Sequence, residues 1–366
     1  MVTALPADLS TPCLVIDEAV LEANLRATAT SAADRGFALR PHAKTHKCIE
    51  IAHRQLDLGA VGLTVATIGE AEVFAAAGCT DLFIGYPVWA AGAKAQRLRS
   101  LADLCTLSVG VDSPDGAELV GRALSGTANR CFIEIDSGHH RSGVRPIDVV
   151  PVAAAAARAG LTVAGVFTFP GHGYEPHRQA AAADDEARTL ATAADALHDA
   201  GFNAAVRSGG STPTAALTDA TITEIRPGVY VFNDAQQVEL GTADWPAVAL
   251  TAAATVVSRS GNTIIVDAGS KTLGADRAPW ATGWGRLLEM PDARIVAISE
   301  HHATITIPAD EPVPELGAIV RVVPNHVCAA VNLADELVVV RYDDSTDGCG
   351  AAVVDRWLVA ARGKNG

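Results

Sequence analysis

The sequence predicts an α/β chain in two parts: a parallel (β/α)8, TIM-like barrel over residues 17–240, and a second, β-rich C-terminal domain over 241–366 that also takes in residues 1–16. Three observations predict it. Short apolar runs alternate with longer Ala/Leu-rich amphipathic runs up to about residue 240, as a repeated strand–helix unit requires. The apolar runs in that region number eight, the strand count of such a barrel. Beyond it, the helical runs give way to apolar stretches broken at Gly, Asp and Pro turns. A doubly wound open sheet is the competing arrangement, and the count of eight favours the barrel.

A helical run, Glu18–Arg35, ends at Gly36 and precedes the first strand, Phe37–Pro41. The other strand runs are Val61–Val65, Asp81–Gly85, Thr106–Val111, Cys131–Asp136, Thr162–Phe169, Ala204–Ser208 and Glu224–Phe232. Between them lie the helix candidates Ile49–Leu58, Ile68–Ala77 (stopped by Gly78), Pro114–Ala123 (opened by Ser113), Pro151–Ala159 (stopped by Gly160) and Arg178–Ala200 (stopped by Gly201). In the second part, LTAAATVVSRSGNTIIVDAG, ARIVAISEHHATITIP, GAIVRVVPNH and ELVVVRYDD read as strands.

Hydrophobic residues make up 49% of the chain and charged ones 19%, enough apolar material for a large core. The formal net charge of -14 argues against a nucleic-acid or anionic-membrane partner. No uncharged apolar run approaches the roughly 18 residues of a membrane span. The start, MVTALPADLSTPCLVID, lacks the basic and apolar regions of a signal peptide. Cys13, Cys48, Cys79, Cys105, Cys131, Cys328 and Cys349 are scattered and include no CxxC pair. A cytoplasmic protein with free thiols is expected.

The first strand leads into RPHAKTHK, Arg40–Lys47. If Phe37–His46 runs extended, His42, Lys44 and His46 share a face, and Lys47 points the other way. Functional side chains of a barrel sit where its strands end, and Lys44 is placed there as a candidate for Schiff-base chemistry, which needs the neutral amine. The bland alternative is a solvated basic loop. At the far end of the barrel, SGGSTPT (Ser208–Thr214) offers the amides and hydroxyls of Gly209, Gly210, Ser211 and Thr212 to an anion. Loops after the seventh and eighth strands are the usual phosphate site in barrels. A lysine at the first strand combined with such a cradle suggests pyridoxal 5'-phosphate.

With TPCLVID, RPHAKTHK, GEAEV (Gly69–Val73), EIDSGHHRSGV (Glu134–Val144), GHGY (Gly171–Tyr174), SGGSTPT, RPGVYVFND and PNHVCAAVNL (Pro324–Leu333) in that order, the chain resembles the D-serine dehydratase / D-threonine aldolase group of pyridoxal-phosphate enzymes, which have the alanine-racemase-like fold. The resemblance implies that Lys44 is the Schiff-base lysine, with His42 beside it, and that Arg141 approaches the cofactor's phenolic oxygen. It implies phosphate contacts from Gly210, Ser211, Thr212, Gly228 and Val229, with Tyr230 near them. Tyr174 would line the cofactor site. Arg226 matches the arginine that meets the pyridine nitrogen in racemases; a salt-bridged barrel arginine is the alternative. A homodimer is implied, in which the second domain of one chain completes the other's site.

His326 and Cys328 in PNHVC are two apart, so on a strand they share a face and can ligate one ion. Imidazole plus thiolate favours zinc, with magnesium or manganese as alternatives. The family has a metal at this position: dehydratases tend to carry His-x-Cys, aldolases His-x-Asp. His302 resembles a family histidine near the metal and is a catalytic candidate; His301 and Ala303 depart from the glutamate and glycine of the pattern. No third protein ligand is evident. The function expected is a lyase that removes the β-hydroxyl of a D-β-hydroxy amino acid, a small molecule, leaving a 2-oxo acid and ammonia. The alternatives are aldolase cleavage to glycine and an aldehyde, a 3-hydroxy-D-aspartate dehydratase or aldolase, and a metal-independent racemase.

Overall fold

The computed structural model describes residues 5–6, 9–343 and 350–366, without the side chain of Asp343. The chain divides into two compact units. A barrel unit comprises Thr28–Lys44, Ile51–Gly228 and Gly363–Gly366; a β unit comprises Met1–Ala27, Thr45–Glu50 and Val229–Arg362.

Along the chain, β1 (Cys13–Asp17) and α1 (Glu18–Asp34) come first. The barrel strands are β2 (Ala38–Leu39), β3 (Leu63–Val65), β4 (Asp81–Pro87), β5 (Thr106–Val111), β6 (Arg130–Glu134), β7 (Thr162–Phe167), β8 (Val206–Gly209) and β9 (Glu224–Ile225). They pair in the order β2-β9-β8-β7-β6-β5-β4-β3, and each pairing is parallel. A parallel bridge from His42 to Thr64 joins the two remaining edges and closes the ring. The helices between are α2 (Ile49–Asp57), α3 (Ile68–Ala76), α4 (Ala93–Ala102), α5 (Pro114–Ala123), α6 (Val149–Arg158) and α7 (Gln179–Asp199). The predicted parallel barrel is therefore the observed one. Capping explains several helix starts: the Ser113 side chain accepts from Gly116 N, with Pro114 in the first turn of α5. Helix α4 was not among the predicted elements. It opens on Gly92, at φ 56° and with no side-chain cap, so it carries no local start signal.

Two predicted strands are shorter than expected. Phe37–Pro41 is a strand only at β2, and its supposed extension to His46 pairs only at the His42 bridge, with residues 43–46 forming turns. Glu224–Phe232 is a strand only at β9, after which Val229–Val231 forms a 3-10 turn. In each case a proline, Pro41 or Pro227, interrupts the run where a ladder would need its N–H. Inside the barrel, Phe83 packs against Phe132 and Phe167 with ring centroids 4.8 and 5.0 Å apart.

The β unit holds β10 (Leu250–Ser260), β11 (Thr263–Val266), β12 (Gly285–Leu287), β13 (Arg294–Ile298), β14 (Ala303–Thr306), β15 (Ile319–Pro324), β16 (Glu336–Asp343) and β17 (Gly350–Leu358). Its short helices are α8 (Ala235–Glu239), α9 (Ser270–Leu273) and α10 (Val327–Leu333). Strand β10 pairs with β11, β15 and β1, so the run β11-β14-β13-β12-β15-β10 closes on itself, with β1, β16 and β17 extending the sheet. The register shift between Val256 and Ser258 lets this one long strand serve both sides of the closure. Among the described residues no helix is long and apolar enough to cross a membrane. The six described cysteines are free thiols, as expected; Cys349 lies outside the described residues.

Candidate functional site

The opening motif divides its basic residues between several tasks. Arg40 is buried and holds the barrel together: Nε donates to Glu224 Oε2 at 2.8 Å and Nη1 to Asp81 Oδ1 at 2.6 Å. His42 and Lys44 lie at the end of β2 and line a cavity of about 580 Å3 with Ala66, Thr67, Tyr86, Asp112, Arg141 and Asn365. The Lys44 backbone N–H donates to His42 Nδ1 at 3.4 Å, which leaves the ring proton on Nε2. His46 does not share their face. The chain turns at residues 43–46, and His46 is buried, its Nδ1 accepting from Cys48 N at 3.1 Å. Lys47 is buried in the β unit, its ammonium donating to Asn332 Oδ1 at 2.7 Å.

Phe169, which the sequence offered only as the end of a strand, organises the cavity's cations. Its ring centroid is 5.5 Å from Lys44 Nζ and 5.1 Å from the Arg141 guanidinium, and the Tyr174 ring is 6.0 Å away. The face of an aromatic ring accepts a cation without offering a competing hydrogen bond. The signal that could have found it is position: Phe169 stands just beyond β7 at the C-terminal rim, where barrels keep their chemistry.

The loop after β8 lies next to the run that follows β9. His42 N donates to Pro227 O at 3.0 Å, so the run leading to Lys44 adjoins the segment ending at Gly228. Gly210 has φ +71°, and a Cβ there would lie 3.1 Å from Ile225, which favours glycine twice over. Its N–H is already engaged by Glu186 Oε1 at 2.7 Å, and the Ser211 N–H by Thr214 Oγ1 at 2.9 Å. The Ser211 hydroxyl is also paired, 3.0 Å from Thr214 Oγ1, so this loop pair is held by its own hydrogen bonds around Gly210 and Ser211. Arg226 is buried in the barrel, with Nη1 donating to Ser208 Oγ and Nη2 to Thr168 O. Its guanidinium lies over Phe83 and Phe167 at 5.7 and 5.4 Å. Burial lowers its pKa, against the pull of Glu224, Glu186 and Glu134. Val229 and Tyr230 are buried in the 3-10 turn of the β unit.

Glu186, on α7, is fully buried beneath Gly210, and its Oε2 has no hydrogen-bond partner. Burial pushes its carboxyl up to about 7, against the Gly210 amide and the Arg226 charge, which lower it. A carboxyl raised in the folded state holds a proton that the unfolded chain gives up at lower pH, so stability falls as pH rises from the ordinary carboxylate range to about 7. Glu186→Gln keeps the acceptor for Gly210 and removes that titration. Its melting temperature is expected to fall less than the wild type's between pH 5 and 8, with roughly 3 kcal/mol as the upper bound of the difference. Parallel thermal melts across pH check this; superimposable profiles would rule it out.

In the β unit, His326 and Cys328 do not sit on one strand. β15 ends at Pro324, His326 is the N-cap residue of α10, and Cys328 lies in its first turn. Asp234, fully buried, orders this junction: its Oδ2 accepts from Val327 N at 3.0 Å and stands 3.5 Å from His326 Nδ1, while Oδ1 caps α8 through Gln237 N at 2.9 Å. Burial lowers the His326 pKa, but Cys328 and Asp234 outweigh it and raise it overall. Cys328 Sγ is 3.2 Å from Thr45 Oγ1. An imidazole with a carboxylate at Nδ1 and a thiol side chain interacting with it is the donor chemistry of a zinc site with its outer carboxylate. Among the described residues no three His, Cys, Asp or Glu side chains are grouped to hold an ion. His302 is exposed in the β13–β14 turn, its carbonyl accepting from Ser299 N at 2.8 Å, and the structure does not group it with the pair.

The alanine racemase N-terminal domain family matches residues 16–236, and the putative serine dehydratase domain matches residues 249–340. The chain is similar to a D-threonine aldolase of an Arthrobacter species, with 36% identity over 98% of this chain and 94% of the relative. It is similar to the D-threo-3-hydroxyaspartate dehydratase of Delftia sp. HT23, with 35% identity over 88% of this chain and 91% of the relative. The solved structure of that dehydratase superposes with a TM-score of 0.85 at 31% identity, covering 97% of this chain and 98% of the other; a cysteine-to-alanine mutant of it is solved in a metal-free form. The D-threonine aldolase of Filomicrobium marinum superposes with a TM-score of 0.85 at 32% identity over 99% of each chain.

Proposed function

Since this chain belongs to the alanine racemase N-terminal domain family and carries a serine dehydratase domain after it, we propose that it is a pyridoxal 5'-phosphate- and zinc-dependent lyase acting on a D-β-hydroxy amino acid. The reading rests on one observation above the others: the Lys44 amine and the Arg141 guanidinium lie on the same Phe169 ring, at the rim of a cavity large enough for a small molecule. The cofactor, when bound, supplies an electron sink for the charge left at the α-carbon. Ser211, Thr212 and Gly228 would hold its phosphate, and Val229 and Tyr230 belong to the same proposed set. Arg141 would meet its phenolic oxygen and Tyr174 would flank it. Arg226 would stand at its pyridine nitrogen, a role for which two of its N–H groups are already committed to Ser208 and Thr168.

Lys44 is the group that moves a proton: its Nζ takes the α-hydrogen of the amino acid. His42 borders the same cavity. His326 and Cys328 would hold a zinc ion, which supplies Lewis acidity toward a hydroxyl leaving group; His302 is retained as a candidate near the metal. A cysteine-to-alanine mutant of a similar dehydratase solved in a metal-free form supports metal dependence. The products are a 2-oxo acid and ammonia. Aldolase cleavage is the second reading, favoured by the likeness to D-threonine aldolases. The chain acts as a homodimer in this proposal.

The test is to incubate the protein, loaded with cofactor and zinc, with D-serine, D-threonine and 3-hydroxy-D-aspartate and to identify what forms. A 2-oxo acid with ammonia is the expected outcome. Glycine with an aldehyde moves the assignment to the aldolase branch, and the L-enantiomer alone moves it to a racemase.

A further inference from the structure

We propose that the segment Gly363–Gly366 is a fitted part of the substrate-side wall of the Lys44 cavity, and that Asn365 selects amino acids whose side chain ends in a hydrogen-bonding group. This rests on the reading of that cavity as the lyase site. The segment belongs to the barrel unit, and the first turn of α3 is its seat. Thr67, the N-cap of α3, uses its hydroxyl twice: it accepts from Glu70 N at 3.0 Å and donates to Lys364 O at 2.5 Å. Gly69 N, a donor that a helix start leaves without an internal partner, donates to Gly366 O at 3.1 Å. Gly69 lets the segment lie this close: a Cβ there would stand 2.9 Å from Gly366 O and 3.0 Å from Lys364 Cβ. Lys364 also adds to the pull, mainly from Arg97, that holds the Glu72 carboxyl below its usual range.

Seat and segment form one wall, because Ala66, Thr67 and Asn365 line the cavity that Lys44 lines. Of the residues assigned to the cofactor, Lys44 and Arg141 line it while Ser211, Thr212 and Gly228 do not, so the cavity lies at the reactive end, where the amino acid would enter, rather than at the phosphate. Asn365 is exposed at the rim, available to a ligand. Its carboxamide both donates and accepts, and the Tyr86 phenol stands in the same lining. A wall built this way favours a side chain ending in a carboxylate or hydroxyl over one ending in a methyl group.

Asn365→Ala and Gly69→Ala, made in the full chain and loaded with cofactor and zinc, test the proposal. Cofactor occupancy is read from its visible absorbance band. Kinetics with 3-hydroxy-D-aspartate and D-threonine give KM and kcat, and titration of the band with each amino acid gives an apparent Kd. The expected result is full occupancy with a rise in KM and Kd of about 10-fold or more for the dicarboxylic substrate, exceeding any fall in kcat and exceeding the change for D-threonine. Gly69→Ala should reproduce the shift by displacing the segment. Unchanged KM and Kd in both variants, or equal changes for both amino acids, overturn the proposal; so does loss of the cofactor, which would make the segment a structural brace. If the unmodified protein forms no product from any substrate, the lyase reading fails by itself. The band titration then still judges the segment: weaker dicarboxylate binding by Asn365→Ala supports it, and an equal or absent response overturns it.

Discussion

Lys44→Ala protein is expected to lose both the visible absorbance of the bound cofactor and product formation, the latter by at least about 10^3-fold. The structure gives Lys44 no visible part in holding the fold. Its side chain is half-buried at the cavity rim, and its ammonium lies over the Phe169 ring. Alanine there should therefore leave the cofactor-free protein within about 1 kcal/mol of the original stability, as thermal melts would read it. Arginine at the same place would keep the charge over Phe169 without a nucleophilic amine, so Lys44→Arg should be equally inactive. A variant that keeps the band and the activity would remove Lys44 from the chemistry and with it the whole functional reading.

The second large effect concerns the metal. Stripping the ion with a chelator is expected to abolish elimination while leaving the cofactor's visible band in place, and zinc alone should restore the activity. Cys328→Ala should abolish zinc binding at this site, because it removes one of two protein donors. Asp234→Asn is the sharper probe. Asparagine still caps α8 through its carbonyl oxygen, but its NH2 then meets the Val327 N–H that Oδ2 accepted, so a thermal melt of the variant accompanies the test; the carboxylate beside His326 Nδ1 is gone. Loss of such an outer partner lowers metal affinity by about 10–100-fold. Competition with a chromophoric zinc chelator measures that directly, without reference to turnover. Elimination that survives full chelation would remove the metal from the reaction; unchanged zinc affinity in Asp234→Asn would remove the carboxylate from the site.

The barrel was legible because its signals are local. Each strand–helix unit states its own period, and caps such as Thr67 and Ser113 mark helix starts within three residues of their partners. Lys44 stood out as a candidate for a related reason: it follows directly on a strand run, where barrels keep their functional side chains, and a solvated basic loop was the alternative reading of the same run. The details of the same motif were not legible. Alternation along an extended strand grouped His46 with Lys44, but the chain turns after Pro41, and an alternation argument fails where the strand does. The glycine loop was recognised as a cradle, yet Glu186, well upstream on another helix, takes the Gly210 amide. A buried acid in a helix announces nothing in one dimension.

Residue order and periodicity alone determined the parallel barrel and the β-rich second part, since both depend on neighbours within a few positions, and they offered Lys44 and the His326–Cys328 pair as candidates. Only the tertiary structure decided which groups stand around them. Phe169 reaches Lys44, Asp234 reaches Val327 across 93 positions and His326 beside it, and Asn365 enters the cavity wall from a distant part of the chain. Contacts of that kind follow from how the whole chain closes, which no local pattern encodes.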